Sequence, residues 1–154
     1  MKYASYGIVF QEIPDETTLS INISNCPCHC PGCHSAYLWR DEGEPLDENA
    51  ISSFIAEYGN DFTCICLMGG DAEPKSVEDL ANFIHKTFPA YKVAWYSGRQ
   101  YVPQYIDKQV FDYIKVGPYI EHLGALDSRT TNQRLLKRQP NGSFVDITSK
   151  FWKD

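Results

Sequence analysis

The sequence predicts an α/β protein in which parallel strands alternate with helices and form a partial, open β/α barrel. Short apolar or alternating runs, typical of strands, are separated by segments with helical spacing, in the order β–loop–α–β–α–β–α–β. Such alternation favours parallel strands joined by right-handed crossovers. The 154 residues are too few for a full eight-unit barrel, which takes about 250 residues. They fit a single domain, residues 1–154.

The sequence predicts four strands, taken here in their order along the chain. The first, Thr17 to Ser24, alternates apolar and polar residues, which indicates one buried face. The second, Phe62 to Met68, is almost wholly apolar, as in a central parallel strand covered on both faces. The third is Lys92 to Tyr96 and the fourth is Tyr113 to Val116. In the otherwise irregular tail, Ser143 to Ile147 is a further candidate strand.

Three helices are expected between these strands. Asp47 can cap a helix that runs to about Tyr58, and Gly59 is a plausible stop. The stretch Ser76 to Asp79 resembles a capping box and predicts the start of the second helix. Tyr101 to Phe111 predicts a short third helix. The first 16 residues are mixed and predict no regular element.

Composition limits the classes of function. The formal charge is −6 and there is no long basic run, which argues against a protein that tracks nucleic-acid phosphates. No run of about 18 apolar residues occurs, so no membrane-spanning helix is expected. The first residues lack the apolar core of a signal peptide. A reducing, cytoplasmic setting is therefore expected, and clustered cysteines there indicate metal ligands.

Four of the six cysteines lie in one short loop, Cys26-Pro27-Cys28-His29-Cys30-Pro31-Gly32-Cys33, directly after the first strand. Cys26, Cys30 and Cys33 have C-x3-C-x2-C spacing. Three thiolates on a cubic iron–sulfur cluster leave one iron free to bind a substrate or cofactor. Zinc is the main alternative, held by the four loop cysteines or by three of them with Cys64 or Cys66. For these two later cysteines, burial as small apolar residues is the competing interpretation.

Glycine and polar residues follow the other predicted strands. They are Gly69-Gly70-Asp71 after the second strand, Ser97-Gly98 after the third, and Lys115 near the end of the fourth. Because the carboxyl ends of parallel strands meet at one edge, these residues should share a rim with the cysteine loop. Asp71 can bind a cationic amine, and Ser97 can hydrogen-bond a ribose or a carboxylate. Lys115 either points outward into solvent or meets a carboxylate at the rim.

Together these motifs carry a family resemblance. The cysteine spacing followed by Gly69-Gly70-Asp71 resembles the radical S-adenosylmethionine superfamily. Within it, the sequence is similar to the activating proteins of anaerobic ribonucleoside-triphosphate reductases, roughly over residues 17 to 134. The stretches that carry this second likeness are Cys30-Pro31-Gly32-Cys33-His34, Gly69-Gly70-Asp71, Tyr96-Ser97-Gly98, Asp112-Tyr113-Ile114-Lys115-Val116-Gly117-Pro118-Tyr119 and Thr131-Asn132-Gln133-Arg134.

The resemblance implies a single radical S-adenosylmethionine domain with one 4Fe–4S cluster and S-adenosyl-L-methionine bound to its fourth iron. The implied cluster ligands are Cys26, Cys30 and Cys33. Asp71, with Gly69 and Gly70, would hold the amino group of S-adenosylmethionine, and Gly32 and His34 would lie near its nucleoside. Ser97 and Lys115 complete the expected cofactor contacts.

The implied activity is an oxidoreductase reaction on another protein. A reduced flavodoxin- or ferredoxin-like donor would supply an electron that cleaves S-adenosylmethionine. The resulting radical would abstract a hydrogen from a glycine of the large subunit of anaerobic ribonucleoside-triphosphate reductase. No nucleic acid or membrane partner is expected. Aromatic residues such as Trp39, Trp95 or Trp152 are candidates for a docking surface.

Two departures from the family pattern and several alternatives accompany this interpretation. Gly32 stands where the superfamily often has an aromatic residue, which leaves His34 or Tyr37 as candidates to stack on adenine. Asp71 replaces a frequent Glu. Cys28 is an extra thiol with no assigned role. The alternatives are an activase of another glycyl radical enzyme, a non-catalytic zinc-binding interaction module, or an iron–sulfur electron carrier that uses Cys28 as a fourth ligand.

Overall fold

A mixed β-sheet runs through the protein, for which a computed structural model describes residues 1–152. Its strands are β1 (Lys2–Val9), β2 (Thr18–Ile23), β3 (Glu44–Pro45), β4 (Cys64–Met68), β5 (Lys92–Tyr96), β6 (Tyr113–Val116), β7 (Arg134–Arg138) and β8 (Phe144–Asp146). The helices are α1 (Glu48–Tyr58) and α2 (Pro74–Thr87), with shorter 3₁₀ turns at Ala36–Trp39, Lys108–Val110 and Thr148–Phe151. Across the sheet the strands lie in the order β3-β1-β2-β4-β5-β6-β7-β8.

The four predicted strands are confirmed and form the parallel centre of the sheet. β4 pairs in parallel with β2 on one side and with β5 on the other, and β6 pairs in parallel with β5. β1 flanks this centre on one side and β7 on the other, both in antiparallel pairing. The architecture is mixed α/β and the sheet does not close, since β3 and β8 are its two ends. Curvature of the parallel strands into a partial barrel stays a prediction.

The two faces of the sheet pack against different layers. On the helix face, residues such as Ile65, Leu67 and Trp95 form the main core with α1 and α2. On the opposite face, here called the second face, a smaller core contains Cys64, Cys66, Ala94, Tyr96, Tyr113 and Leu135, covered by Ile13 and Leu126. Successive side chains of a strand alternate between faces, so the apolar sequence of β4 serves both cores.

The first predicted helix is confirmed with its caps. The Asp47 carboxylate accepts a hydrogen bond from the Ala50 N–H at 2.9 Å and caps α1. At the other end, Gly59 has a φ of 57° and its N–H bonds to the Ile55 carbonyl. A left-handed conformation at this point suits glycine and ends the helix as predicted.

The predicted start of the second helix is wrong by three residues, since the capping box would make Ser76 the N-cap. α2 begins at Pro74 with Glu73 as its N-cap, rather than at Ser76. Proline has no N–H to leave unpaired in the first turn and its φ already suits a helix, so Pro74 sets the boundary.

The predicted helix over Tyr101 to Phe111 is also wrong, apart from a 3₁₀ turn at Lys108–Val110. The Asp107 N–H donates to the Glu78 carboxylate of α2 at 2.8 Å instead of to a carbonyl of its own segment. The Asp107 side chain then accepts from the Gln109 N–H at 2.9 Å. These side-chain partners compete with helical bonding and hold the segment as an irregular connection on α2.

Three strands were not predicted. β1 has a bulge between Tyr3 and Ser5, which interrupts the period of two; Tyr3 and Tyr6 therefore both pack against Phe54 of α1. β3 is only two residues long and both are exposed, and β7 carries only one fully buried side chain, Leu135. Within residues 1–152, no helix is both long enough and apolar enough to span a bilayer.

Candidate iron–sulfur site

The cysteine loop starts where β2 ends and closes back on the 3₁₀ turn that follows it. The Asn25 N–H donates to the Arg40 carbonyl and the Cys26 N–H to the Leu38 carbonyl, each at 2.9 Å. Further along, the Cys33 N–H bonds to the Cys30 carbonyl at 3.1 Å. The two ends of the loop are thus tied by backbone hydrogen bonds, and the cysteines are presented between fixed points.

The four loop thiols are all partly exposed and none forms a disulfide. The thiol of Cys28 hydrogen-bonds to Cys26, and this bond is the main reason that the pKa of Cys26 is lowered to about 6. The same bond, together with burial, raises the pKa of Cys28. A thiol whose pKa lies near neutrality supplies the thiolate that metal binding requires.

Cys64 and Cys66 are far from this environment. Both are completely buried on the second face, and burial raises the pKa of both thiols well above the ordinary value. Their burial agrees with the interpretation as small core residues. It places them among apolar neighbours rather than among the loop cysteines.

Asp71 is the residue that joins the cysteine loop to the rest of the rim. Its carboxylate accepts a hydrogen bond from the Ser97 hydroxyl at 2.5 Å and one from the Gly98 N–H at 2.8 Å. The Cys28 sulfur lies 3.8 Å from the second carboxylate oxygen. Asp71 and Ser97 are 6% and 1% exposed. The ends of β2, β4 and β5 therefore meet around one buried carboxylate, as the parallel topology predicts.

Lys115 brings the end of β6 to the same place. Its ammonium group donates to the Ser97 carbonyl at 3.0 Å and to the Gly117 carbonyl at 2.8 Å. It is 8% exposed, so the solvated alternative considered for this residue is wrong. Burial lowers the pKa of Lys115, and the negative charges of Asp71 and of the loop thiolates oppose that shift. The site thus contains a buried cation that faces several potential anions.

Gly69 and Gly70 are required by packing as well as by conformation. Their φ angles are 111° and 87°, a region that side chains disfavour. A Cβ on Gly70 would lie 2.4 Å from the Val77 methyl group. The Gly69 carbonyl accepts a hydrogen bond from the Trp95 indole at 2.8 Å. Trp95 is fully buried, so its place among the candidates for a docking surface was wrong.

Gly32 and His34 contact the segment that follows β6. Gly32 has a φ of 75°, and a Cβ at this position would lie 2.5 Å from a carboxylate oxygen of Glu121. The His34 ring meets the Tyr119 ring edge-on at a centroid distance of 5.6 Å. Sequence reasoning missed Glu121, because no local pattern shows that this exposed acid packs on the cysteine loop.

The loop offers features that fit an iron–sulfur cluster. The His29 ring stacks on the Trp39 ring at 4.7 Å, and the Trp39 indole N–H is buried without an acceptor among residues 1–152. A buried donor that lacks a partner calls for a bound group, and hydrogen bonds to sulfur are a regular part of iron–sulfur sites. In the described part of the chain, no three His, Cys, Asp or Glu side chains converge on the position of one ion. A cubic cluster needs no such convergence, because each thiolate binds a different iron.

Comparison with known proteins agrees with this fit. A sequence model of the family described as a 4Fe-4S single cluster domain matches residues 17–135. The matched span begins just before β2 and extends into β7, so it contains the cysteine loop, Asp71, Ser97 and Lys115. Comparison with curated proteins and with solved structures gave no match. The family match supports iron–sulfur over the zinc alternative for this loop.

Proposed function

The chain belongs to the family of 4Fe-4S single cluster domains, and from that premise we propose that it is a radical S-adenosylmethionine activase. Its substrate is an anaerobic ribonucleoside-triphosphate reductase, on which it generates the glycyl radical. The proposal depends most on one observation: the Asp71 carboxylate lies between the cysteine loop and the end of β5. An open iron of the cluster and a buried carboxylate beside it can together bind the amino acid end of a ligand such as S-adenosylmethionine.

Within this proposal, Cys26, Cys30 and Cys33 hold the cluster. Asp71 accepts a hydrogen bond from the amino group of S-adenosylmethionine, while the Ser97 hydroxyl and the Gly98 N–H keep the Asp71 carboxylate oriented. The Lys115 ammonium has a third hydrogen beyond the two carbonyls that it binds, and it offsets the negative charge of the thiolates. Gly32 and His34 lie on the side of the loop that faces Tyr119 and Glu121, where the nucleoside is expected.

The chemistry itself belongs to the bound groups. When bound, the cluster held by Cys26, Cys30 and Cys33 would supply the electron for reductive cleavage of S-adenosylmethionine, and the chemistry that results would be abstraction of a hydrogen atom from a glycine Cα of the reductase. A flavodoxin- or ferredoxin-like donor returns the electron to the cluster. With such a donor and such a substrate, we expect the protein to act in a reducing cytoplasm.

A second candidate is an electron carrier with a fully ligated cluster, because the Cys28 thiol lies in the same site. A direct test separates the two. The reconstituted protein is mixed anaerobically with the reductase, dithionite and S-adenosylmethionine, and the glycyl radical is measured by electron paramagnetic resonance. We expect a radical signal accompanied by 5′-deoxyadenosine. An intact, reducible cluster that yields neither product would refute the activase.

The same mixture with Cys33→Ala is the matched control, since this variant retains the other loop thiols and should give no radical. Replacing the reductase by another glycyl radical enzyme tests the remaining alternative. A stronger radical signal on that enzyme would retain the activase class and reject the proposed substrate.

A further inference from the structure

Cys28 is the loop thiol that the three-cysteine spacing leaves without a role, yet its side chain turns into the site. Its sulfur lies 3.8 Å from Asp71 Oδ2. It also lies so close to Gly98 that a Cβ on this glycine would be 3.0 Å away. A thiol without a role would not be expected to lie where the ends of β2, β4 and β5 meet. We propose that Cys28 binds the fourth iron of the cluster until S-adenosylmethionine displaces it.

The chain geometry favours ligation by Cys28. It is two residues from Cys26, and two residues span at most about 7 Å, so its sulfur stays close to whichever iron Cys26 holds. An iron without a fourth ligand in a partly exposed loop is open to water and oxidants, and a neighbouring thiolate is the strongest ligand at hand.

The surrounding charges allow a fourth thiolate. Each added thiolate makes the cluster more negative, which is costly in a partly buried site unless a cation is near. The buried ammonium of Lys115 donates to the Ser97 carbonyl at 3.0 Å, and the Ser97 hydroxyl bonds to the same Asp71 carboxylate that Cys28 contacts. The ammonium group that offsets the negative charge of the three assigned cluster ligands therefore also lies near Cys28.

Displacement follows from competition for space. Cys28 occupies the position beside Asp71 and Gly98 that the amino acid end of S-adenosylmethionine takes in the proposed function, and this half of the inference rests on that function. The exchange involves no change of oxidation state: the Fe–S bond to Cys28 breaks, the ammonium group of S-adenosylmethionine gives up a proton that the released thiolate takes up, and the neutral amino group and the carboxylate would then bind the iron.

The test compares the wild-type holoprotein with Cys28→Ala and, as a control for thiol number, Cys64→Ala, whose cysteine is buried on the second face. Ferricyanide oxidation removes an iron that lacks a thiolate ligand and leaves a 3Fe–4S cluster, which electron paramagnetic resonance detects. Without S-adenosylmethionine we expect several-fold more 3Fe–4S signal from Cys28→Ala than from the other two proteins. Iron content and circular dichroism before oxidation establish that all three are loaded and folded.

Binding provides a second readout. If Cys28 must leave the iron first, the apparent affinity for S-adenosylmethionine is reduced by the fraction of protein in the ligated form, so Cys28→Ala should bind about tenfold more tightly. Equal 3Fe–4S yields from wild type and Cys28→Ala would overturn the ligand assignment, whatever the activity. A variant that cannot retain its cluster would make Cys28 an obligatory ligand and would overturn displacement.

One further outcome separates this inference from the proposed function. If Cys28→Ala raises the 3Fe–4S yield but S-adenosylmethionine changes neither protein's spectrum, Cys28 is confirmed as a ligand. The displacement and the activase are then both rejected in favour of the electron carrier. Conversely, glycyl radical formation with equal 3Fe–4S yields supports the activase and rejects the role of Cys28.

Discussion

Asp71→Ala tests the part of the site that the structure defines most closely. The substitution removes the acceptor of two hydrogen bonds, from the Ser97 hydroxyl and the Gly98 N–H. Ser97 is 1% exposed, so water cannot readily replace the lost oxygen. A buried donor left without a partner costs about 1–3 kcal/mol. At this chain length such a loss lowers Tm by about 2–10 °C.

The effect on the cofactor should be larger than the effect on folding. A hydrogen bond to a charged group contributes about 1.5–3 kcal/mol, which corresponds to a Kd for S-adenosylmethionine that is roughly 10- to 150-fold weaker. Iron content should not change, because Asp71 is not a cluster ligand in the proposed site. Equilibrium dialysis with labelled S-adenosylmethionine, iron analysis and thermal unfolding measure the three quantities on one preparation.

Asp71→Asn is the matched variant, because it keeps the size of the side chain and one acceptor oxygen but removes the charge. We expect it to unfold near the wild-type temperature and still to bind S-adenosylmethionine weakly. The reasoning fails if Asp71→Ala loses iron while its remaining holoprotein binds S-adenosylmethionine normally. Asp71 would then support the cysteine loop rather than the cofactor.

Three other predictions concern the cluster ligands, the packing of Gly70 against Val77, and the contribution of Glu78 to stability in acid. Alanine at any one of the three permanent cluster ligands should abolish cleavage of S-adenosylmethionine, whereas Cys28→Ala, which removes only the ligand that S-adenosylmethionine displaces, should retain most of it; equal losses would show that the ligand set is misassigned. The ligand variants are Cys26→Ala, Cys30→Ala and Cys33→Ala. Gly70→Ala should lower the free energy of unfolding by about 1–3 kcal/mol, because of its φ and its contact with Val77; unchanged denaturant unfolding would contradict this. The Lys75 hydrogen bond lowers the pKa of the Glu78 carboxyl, so between that value and about 4.3 the unfolded chain binds more protons. Stability should therefore fall as the pH drops through the lowered pKa, and acid titrations of Glu78→Gln should lack this component.

Sequence patterns predicted the central parallel strands because the burial of a strand determines the spacing of apolar residues within the strand itself. The apolar run of β4 reflects burial on two faces. The alternation in β2 identified the strand, but the single buried face that it predicted is wrong, because the polar residues Thr18 and Ser20 are buried as well. Strand order and loop position then place Asp71 and Ser97 beside the cysteine loop without any knowledge of distances. The shared rim, on which the functional proposal depends, was therefore accessible from the sequence.

The remaining elements depend on partners that are distant in sequence. The bulge at Tyr3 in β1 interrupts the alternation that would have identified this strand. The segment before β6 takes its shape from the Glu78 carboxylate on α2, and Lys115 is buried because two loop carbonyls receive its ammonium group. No period or capping pattern encodes such contacts, and the same holds for Glu121 beside Gly32.

Electron paramagnetic resonance of the reduced cluster, with and without S-adenosylmethionine, tests the central claim most directly. The protein is reconstituted anaerobically with iron and sulfide, reduced with dithionite, and assayed in parallel for 5′-deoxyadenosine. The account predicts a 4Fe–4S signal that changes when S-adenosylmethionine is added, together with formation of 5′-deoxyadenosine. A cluster signal that is indifferent to S-adenosylmethionine, with no 5′-deoxyadenosine, would contradict the account and leave an electron carrier.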